Sequence, residues 1–208
     1  MGESPGPDFS FEHAAMARGL APACGIDEAG CGPWAGPVVA AAVILDRASI
    51  PQGINDSKLL SAQARDRLFD EIHEHAVIGI GIADVERIDR DNILAARLWA
   101  MVQAVRRLAV LPHVALVDGN RAPALACEVK TIVGGDGRSL SIAAASIIAK
   151  VTRDRIMVAL GEQYPDYGFA RHKGYGTATH REALARFGPL PHHRKSFAPI
   201  RAILARAV

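Results

Sequence analysis

Residues 38–45 read Val-Val-Ala-Ala-Ala-Val-Ile-Leu, with no polar side chain among them. A strand with one wet face alternates apolar and polar residues, whereas an unbroken apolar run of this length marks a strand buried on both faces. A chain that contains it must cover two faces of a sheet. A second segment points the same way. Residues 141–160 read as a long helix whose first half is apolar nearly all round (Ile142, Ala143, Ala144, Ala145, Ile147, Ile148), so that half is expected to be buried. Half of the 208 residues are hydrophobic, which is enough to build a core without staples.

The other elements follow from periodicity. Residues 24–28 form a short strand ending in acids, followed by the loop Gly30-Cys31-Gly32-Pro33. Residues 61–75 carry Leu68, Phe69 and Ile72 at helical spacing, with Ser61 as N-cap. Residues 77–82 are a third strand. Residues 92–108 are a helix with a broad apolar stripe through Ile93, Leu94, Ala96, Leu98, Met101, Val102, Val105 and Leu108. Residues 114–117 are a strand running into Asp118-Gly119-Asn120, and residues 129–133 are a fifth. Helices are expected near 178–187 and 199–205. Residues 1–20, rich in Gly, Pro and Ser without a clear period, read as a loose arm. Strands alternating with helices imply a mixed sheet with helices packed on it.

The net charge is only +2, but it is unevenly placed. Beyond residue 166 stand Arg171, Lys173, Arg181, Arg186, Arg194, Lys195, Arg201 and Arg206 against a single acid, Glu182, which leaves the rest of the chain net acidic. An acidic body with a basic tail suits a carboxylate site beside a phosphate-binding surface, or a solvated helical face. Cys24, Cys31 and Cys127 are odd in number and lack C-x-x-C spacing, which argues against a disulfide framework or a zinc site and for a reducing compartment. The first residues lack the apolar run of a signal peptide, and no uncharged apolar stretch is long enough to span a bilayer. A cytoplasmic location is therefore expected.

Several residues could carry chemistry. Asp27 and Glu28 end the first strand, Asp118 ends the fourth, and Asp154 lies on the long helix. Sites in α/β sheets gather at the carboxyl ends of strands, and parallel neighbours ending in Asp27 and Asp118 would bring those acids together. Clustered carboxylates repel unless a hard divalent cation joins them. Adjacent strand residues face opposite ways, so Asp27 and Glu28 share a site only if the chain bends at Glu28. Each acid also has an ordinary reading: a solvated turn for Asp27-Glu28, a turn residue for Asp118, an ion pair with Lys150 for Asp154. Gly30-Cys31-Gly32 could cradle a phosphate or simply turn the chain. It lacks the downstream Lys-Ser/Thr of a nucleotide-binding loop. Lys58 could neutralise a phosphate, and Tyr175, between Gly174 and Gly176, could stack on a base or sugar. His172, His180, His192 and His193 lack zinc-site spacing.

Six blocks in order resemble the ribonuclease HII family: residues 27–38 (DEAGCGPWAGPV), Asp56-Ser57-Lys58, residues 117–120 (VDGN), residues 141–155 (SIAAASIIAKVTRDR), residues 172–177 (HKGYGT), and His193-Arg194 with Ser196-Phe197. They cover roughly residues 24–200. The resemblance implies an α/β, RNase H-like fold: a five-stranded mixed sheet flanked by helices, with a small helical C-terminal extension. It divides the chain into a flexible arm (1–20), an RNase H-like catalytic domain (21–165) and a basic helical extension (166–208). It implies an endoribonuclease that cuts the RNA strand of RNA–DNA hybrids, and cuts 5′ of single ribonucleotides in duplex DNA, leaving 5′-phosphate and 3′-hydroxyl ends. Mg²⁺ or Mn²⁺ would be held by Asp27, Glu28, Asp118 and Asp154. Gly30, Cys31, Gly32, Lys58, Lys173 and Tyr175 would touch nucleic acid: the loop's backbone reads the 2′-hydroxyl, Tyr175 packs on the junction sugar, Lys58 holds a phosphate and the tail holds the duplex. The enzyme is expected to act as a monomer, away from membranes, in ribonucleotide removal from DNA and in primer removal. One position departs from the family: the loop is usually Gly-Arg-Gly, and here its middle residue is Cys31. A non-catalytic nucleic-acid binder on the same fold is the competing class, but it would not need four acids placed to repel phosphate.

Overall fold

The structure, a computed structural model, describes residues 6–205. Its strands are β1 (Ala23–Ala29), β2 (Val38–Leu45), β3 (Ala76–Ala83), β4 (Val114–Asp118) and β5 (Glu128–Ile132). They form one five-stranded mixed sheet in the order β3-β2-β1-β4-β5. The central strand β1 is antiparallel to β2 and parallel to β4; β3 is antiparallel to β2, and β5 is parallel to β4. The helices are α1 (Ser10–Ala17), α2 (Ala62–His75), α3 (Val85–Asp91), α4 (Ile93–Arg106) and α5 (Leu140–Gln163), followed by the short α6 (Phe169–His172), α7 (Ala178–Phe187) and α8 (Ala198–Leu204). No helix among the described residues is long and apolar enough to cross a membrane.

The apolar run of β2 is buried on both faces, as its composition demands. Val38, Ala40 and Ala42 pack with Ala96, Ala100 and Ala104 of α4, while Ala41, Val43 and Leu45 pack with Ala144, Ile147 and Ile148 of α5. The small residues on both sides let the layers approach closely. At Gly25 of β1 a Cβ would lie 2.0 Å from the carbonyl carbon of Ser141. Only glycine leaves room for the start of α5 on the central strand. Local capping also follows the sequence: the Ser61 side chain accepts from the Ala64 amide, and Asn92 accepts from the amides of Leu94 and Ala95.

The loose arm expected over residues 1–20 needs correction. Residues 1–5 lie outside the described residues, but α1 is an ordered helix: Phe11 and Ala15 pack on the core, and a buried polar contact that no apolar period reveals ties it down. Glu12 is only 1% exposed. Its Oε1 accepts from the Ser139 hydroxyl (2.6 Å) and the Ser141 amide (3.0 Å) at the start of α5. A carboxylate there meets the positive end of a long helix dipole, and Ser139 in turn caps α5 by accepting from Ile142. Helix α3 was also not anticipated. Its sequence, Val-Glu-Arg-Ile-Asp-Arg-Asp, buries Ile88 alone and starts on an Asp84 cap.

The anchor makes a testable claim. Glu12→Ala is expected to destabilise the protein by about 1–3 kcal/mol, because it strands buried donors, and Glu12→Gln by less, since an acceptor remains. Denaturant unfolding of the two variants checks this; wild-type stability in both would return residues 10–17 to the status of a loose arm.

Candidate active site

The parallel pairing of β1 and β4 sets Ile26 opposite Val117, so Asp27 and Asp118 emerge side by side where the strands end. Asp27 is 6% exposed, and its Oδ1 accepts from the Glu28 amide at 2.7 Å. Asp118 Oδ1 accepts from the Gly135 amide at 2.7 Å. That amide belongs to a single 3₁₀ turn, Gly135–Gly137, entered through Gly134 in the left-handed region and following directly on β5. The turn carries Asp136, 7% exposed, whose Oδ2 accepts from Lys58 Nζ at 2.7 Å. Burial holds the Asp27 carboxyl well above the usual carboxylate range, and the charges of Glu28, Asp118 and Asp136 push it further. Asp118 is raised as well, chiefly by burial, against the pull of the Gly135 amide.

Glu28 answers the question of the bend. The strand does not end there: β1 continues to Ala29, paired with Val39. The pleat is kept, and Glu28 turns to the α4 side of the sheet. Its Oε1 lies 3.0 Å from Arg97 Nη1 and 3.5 Å from Cys31 Sγ. Burial raises its pKa and Arg97 works against the rise.

Asp154, expected as a fourth ligand, has no hydrogen bond to Asp27, Asp118 or Asp136 among the described residues. It pairs with Lys150 Nζ at 2.7 Å and faces a groove lined by Arg65, Asp66, Arg171 and Lys173. On α5 it is the neighbouring Arg153 that turns inward. The buried fourth acid is Asp136, which the sequence reading missed. A signal existed: Asp136 sits in Gly134-Gly135-Asp136-Gly137, just past the carboxyl end of β5, the same placement that singled out Asp27 and Asp118.

The glycine loop closes the other side. Gly30 has φ +98°, and a Cβ on it would lie 2.0 Å from Arg153 Nε, so no other residue fits. The loop is tied to the extension through Trp34 N–H to Gly174 O (2.9 Å), Arg194 N–H to Trp34 O (2.8 Å) and Gly36 N–H to His192 O (2.9 Å). Tyr175 is 49% exposed, and its Cε1 lies 3.6 Å from where a Gly32 Cβ would be. Gly32 and Tyr175 thus share one wall. Lys173 Nζ bonds to the Ala170 carbonyl. Of the basic tail, Arg171, Arg181, Arg186, Lys195 and Arg201 are exposed, Arg206 lies outside the described residues, and Arg194 is buried. Arg194 therefore cannot serve the surface expected of it. The Cys31 thiol is pushed up to about 12 by burial and by Glu28, which keeps it neutral.

The ribonuclease HII family model matches residues 24–200. The ribonuclease HII of Azorhizobium caulinodans is 58% identical over 197 residues, covering 95% of this chain and 76% of its own. This chain belongs to the ribonuclease HII family. Among solved structures, ribonuclease H2 of Pyrococcus horikoshii superposes with a TM-score of 0.76 at 26% identity, covering 88% of this chain and 97% of that one. A Bst ribonuclease HIII in complex with Mn²⁺ shares the fold, with a TM-score of 0.72 at 23% identity, covering 89% and 70%. Membership makes the protein a ribonuclease H, an endonuclease acting on RNA–DNA hybrids.

In this ribonuclease HII His172, His180 and His193 of the extension form a buried cluster whose six ring nitrogens are all engaged. A carbonyl only accepts and an amide only donates, so the partners assign the tautomers. His180 Nδ1–H donates to Tyr175 O (2.9 Å), so His180 Nε2 accepts from His193 Nε2–H (3.0 Å), and His193 Nδ1, with both the Leu190 amide (2.8 Å) and the Leu190 carbonyl (3.3 Å) in reach, accepts from the amide. His172 stacks on His180 at 4.5 Å, accepts from Gly174 N at Nδ1 and donates to Tyr167 O from Nε2. Burial lowers the pKa of His180 and of His193 to about 4. Unfolded, each takes a proton near 6.5. Between these values the unfolded chain binds more protons, so this contribution to stability is full above pH 6.5 and declines as pH falls toward 4. Urea unfolding across that window should show stability falling with acid, with a flatter slope in His193→Gln. Equal slopes in the two proteins would remove the cluster from the pH dependence.

Proposed function

We propose that Asp27, Asp118 and Asp136 hold divalent metal at the site of hydrolysis, with Glu28 reaching round the strand end from the α4 side, and that the enzyme cuts 5′ of a ribonucleotide, in hybrids and singly embedded in duplex DNA. The observation that carries this is Asp27. It is a buried carboxyl at the meeting of three strand ends, with acids on every side and no cation bonded to it among the described residues. Two of its neighbours have cations: Glu28 has Arg97, and Asp136 has Lys58. Among the described residues no three His, Cys, Asp or Glu side chains are placed to hold a metal ion as they stand. Mg²⁺ or Mn²⁺ would therefore take a few of these carboxylates and complete its shell with water and substrate phosphate. Such an ion, when bound, activates water and stabilises the charge of the phosphodiester being cut.

The chain's own residues do the rest. Asp27 and Asp118 present their carboxylates from rigid strand ends, and the Gly135 amide fixes the angle of Asp118. Arg97 and Lys58 shield the acids in the free protein; each can turn to a strand phosphate as the acids take up metal. The Gly30–Gly32 amides read the 2′-hydroxyl, and the exposed face of Tyr175 packs on the sugar at the junction. The extension carries this ring to the site, and its exposed arginines follow the duplex backbone.

Three substitutions test the cluster against the helix acid. Asp27→Asn, Asp118→Asn and Asp136→Asn are expected to abolish cleavage of a duplex carrying one ribonucleotide while preserving duplex binding, whereas Asp154→Asn retains near-wild-type turnover. Robust turnover by Asp136→Asn together with loss in Asp154→Asn reverses the assignment. Tyr175→Ala is expected to lose about tenfold or more on the same substrate, in line with the value of one aromatic stack; unchanged kinetics would make Tyr175 structural.

A further inference from the structure

Two guanidinium groups lie inside the protein beside the glycine loop, and among the described residues neither forms a salt bridge. Arg194 gives all its side-chain hydrogen bonds to main-chain carbonyls. Nη2 donates to Gly30 O (2.6 Å), Gly36 O (2.8 Å) and Pro37 O (3.2 Å), Nη1 to Cys31 O (3.0 Å), and Nε to Gly36 O (3.0 Å). Arg153 likewise donates to Pro37 O, Lys173 O and Ala35 O. A buried cation without an anion is costly, and a residue that merely filled this volume would be apolar. These cations hold peptide planes.

The consequence follows from peptide geometry. A trans peptide is planar, with its carbonyl and the next amide pointing opposite ways. Drawing the Gly30 and Cys31 oxygens inward to Arg194 turns the N–H groups of Cys31 and Gly32 outward. Gly32 is exposed and borders the ring of Tyr175. Among the described residues neither amide donates a hydrogen bond. Consecutive outward amides make a small concave donor pair that suits an oxygen. The chemical difference between the RNA strand and a DNA strand at this wall is the ribose 2′-hydroxyl.

We propose that Arg194 is a positioning residue: by holding the Gly30 and Cys31 carbonyls it aims the Cys31 and Gly32 amides at the ribose hydroxyl and so sets the preference for ribonucleotide over deoxyribonucleotide. The inference rests on the reading of the site given above. It also accounts for the loop's tolerance of Cys31, since Arg194 grips the backbone and not the side chain there. Arg153 packs on Gly30 but gives no hydrogen bond to the Gly30 or Cys31 carbonyls, and serves as the control.

The test uses the full chain in Ca²⁺, with a duplex carrying one ribonucleotide and the same duplex in all-deoxy form. The wild type is expected to prefer the ribonucleotide duplex. Arg194→Lys, which cannot fork across these carbonyls, should lose about tenfold of that preference, the worth of two hydrogen bonds, with its affinity for the all-deoxy duplex unchanged. Arg153→Lys should keep the preference. A folded Arg194→Lys that keeps it, or that weakens on both duplexes alike, overturns the proposal. Amide exchange in the wild type gives a second measurement that needs no variant. The Cys31 and Gly32 amides should exchange fast in the free protein and be protected by the ribonucleotide duplex alone; protection in the free protein, or none specific to that duplex, also overturns it. A wild type without any preference sinks the reading of the site instead, which is a different result.

Discussion

The parallel pairing of β1 with β4 is the constraint on which the rest of the site depends. It sets two strand ends level, so that Asp27 and Asp118 leave the sheet together, and it carries β5 alongside, so that the turn after β5 delivers Asp136 to the same place. Such a cluster is electrostatically unfavourable. Its acids are raised by burial and by one another, and a free-standing hairpin would relieve the strain by splaying. The sheet does not permit this, because β1 is clamped between α4 and α5 and α5 starts directly against Gly25. Packing elsewhere maintains a local arrangement that the acids themselves oppose, a common condition of functional sites.

The pleat of β1 divides the work between the faces of the sheet. Asp27 looks toward the side of α5 and the β5 turn, Glu28 toward α4 and Arg97. The site therefore lies across the end of the sheet and not on one face. The C-terminal extension wraps the same end through the bonds from Trp34, Gly36 and Arg194, and brings Tyr175 against Gly32. The histidine cluster is the interior of that wrapping. It fixes the carbonyl of Tyr175 with neutral rings, which a set of solvated histidines could not do.

The fold was legible where one physical term dominated. The double-sided burial of β2, the apolar start of α5 and the Ser61 cap were all visible in the chain, because each depends on nearby residues. Helices α1 and α3 were not, because polar contacts decide them: Glu12 reaches residues more than a hundred positions away in sequence, and α3 has one buried side chain. The same division holds at the site. Asp27, Glu28, Asp118, Gly32 and Tyr175 were singled out from strand ends, glycines and family motifs, and the structure sets them at one end of the sheet. Asp154 was drawn in by its motif, although its spacing from Lys150 already pointed to an ion pair, and Asp136 was passed over because a glycine-rich turn disguised a strand end. The inward turn of Arg153 and Arg194 could not be read at all. Arg194 in a basic tail and Arg153 among the charges of α5 both look solvated, and only the three-dimensional path of the loop shows carbonyls waiting for them.

Cys31 draws these strands together. An arginine at that position would stand beside Glu28 and Arg97 and near the buried charges of Arg153 and Arg194. Here the thiol is neutral, and burial holds the Arg194 guanidinium down to about 9, with Arg153 pushing the same way. Another cation at the loop would add to that repulsion, while the neutral thiol adds none and contributes a weak hydrogen bond to Glu28. Loop geometry does not depend on the residue at 31, because its carbonyl, and not its side chain, is what Arg194 holds. The loop's shape and its charge are therefore separable, which is why a family-typical arginine can be absent while the backbone donors at Cys31 and Gly32 remain in place.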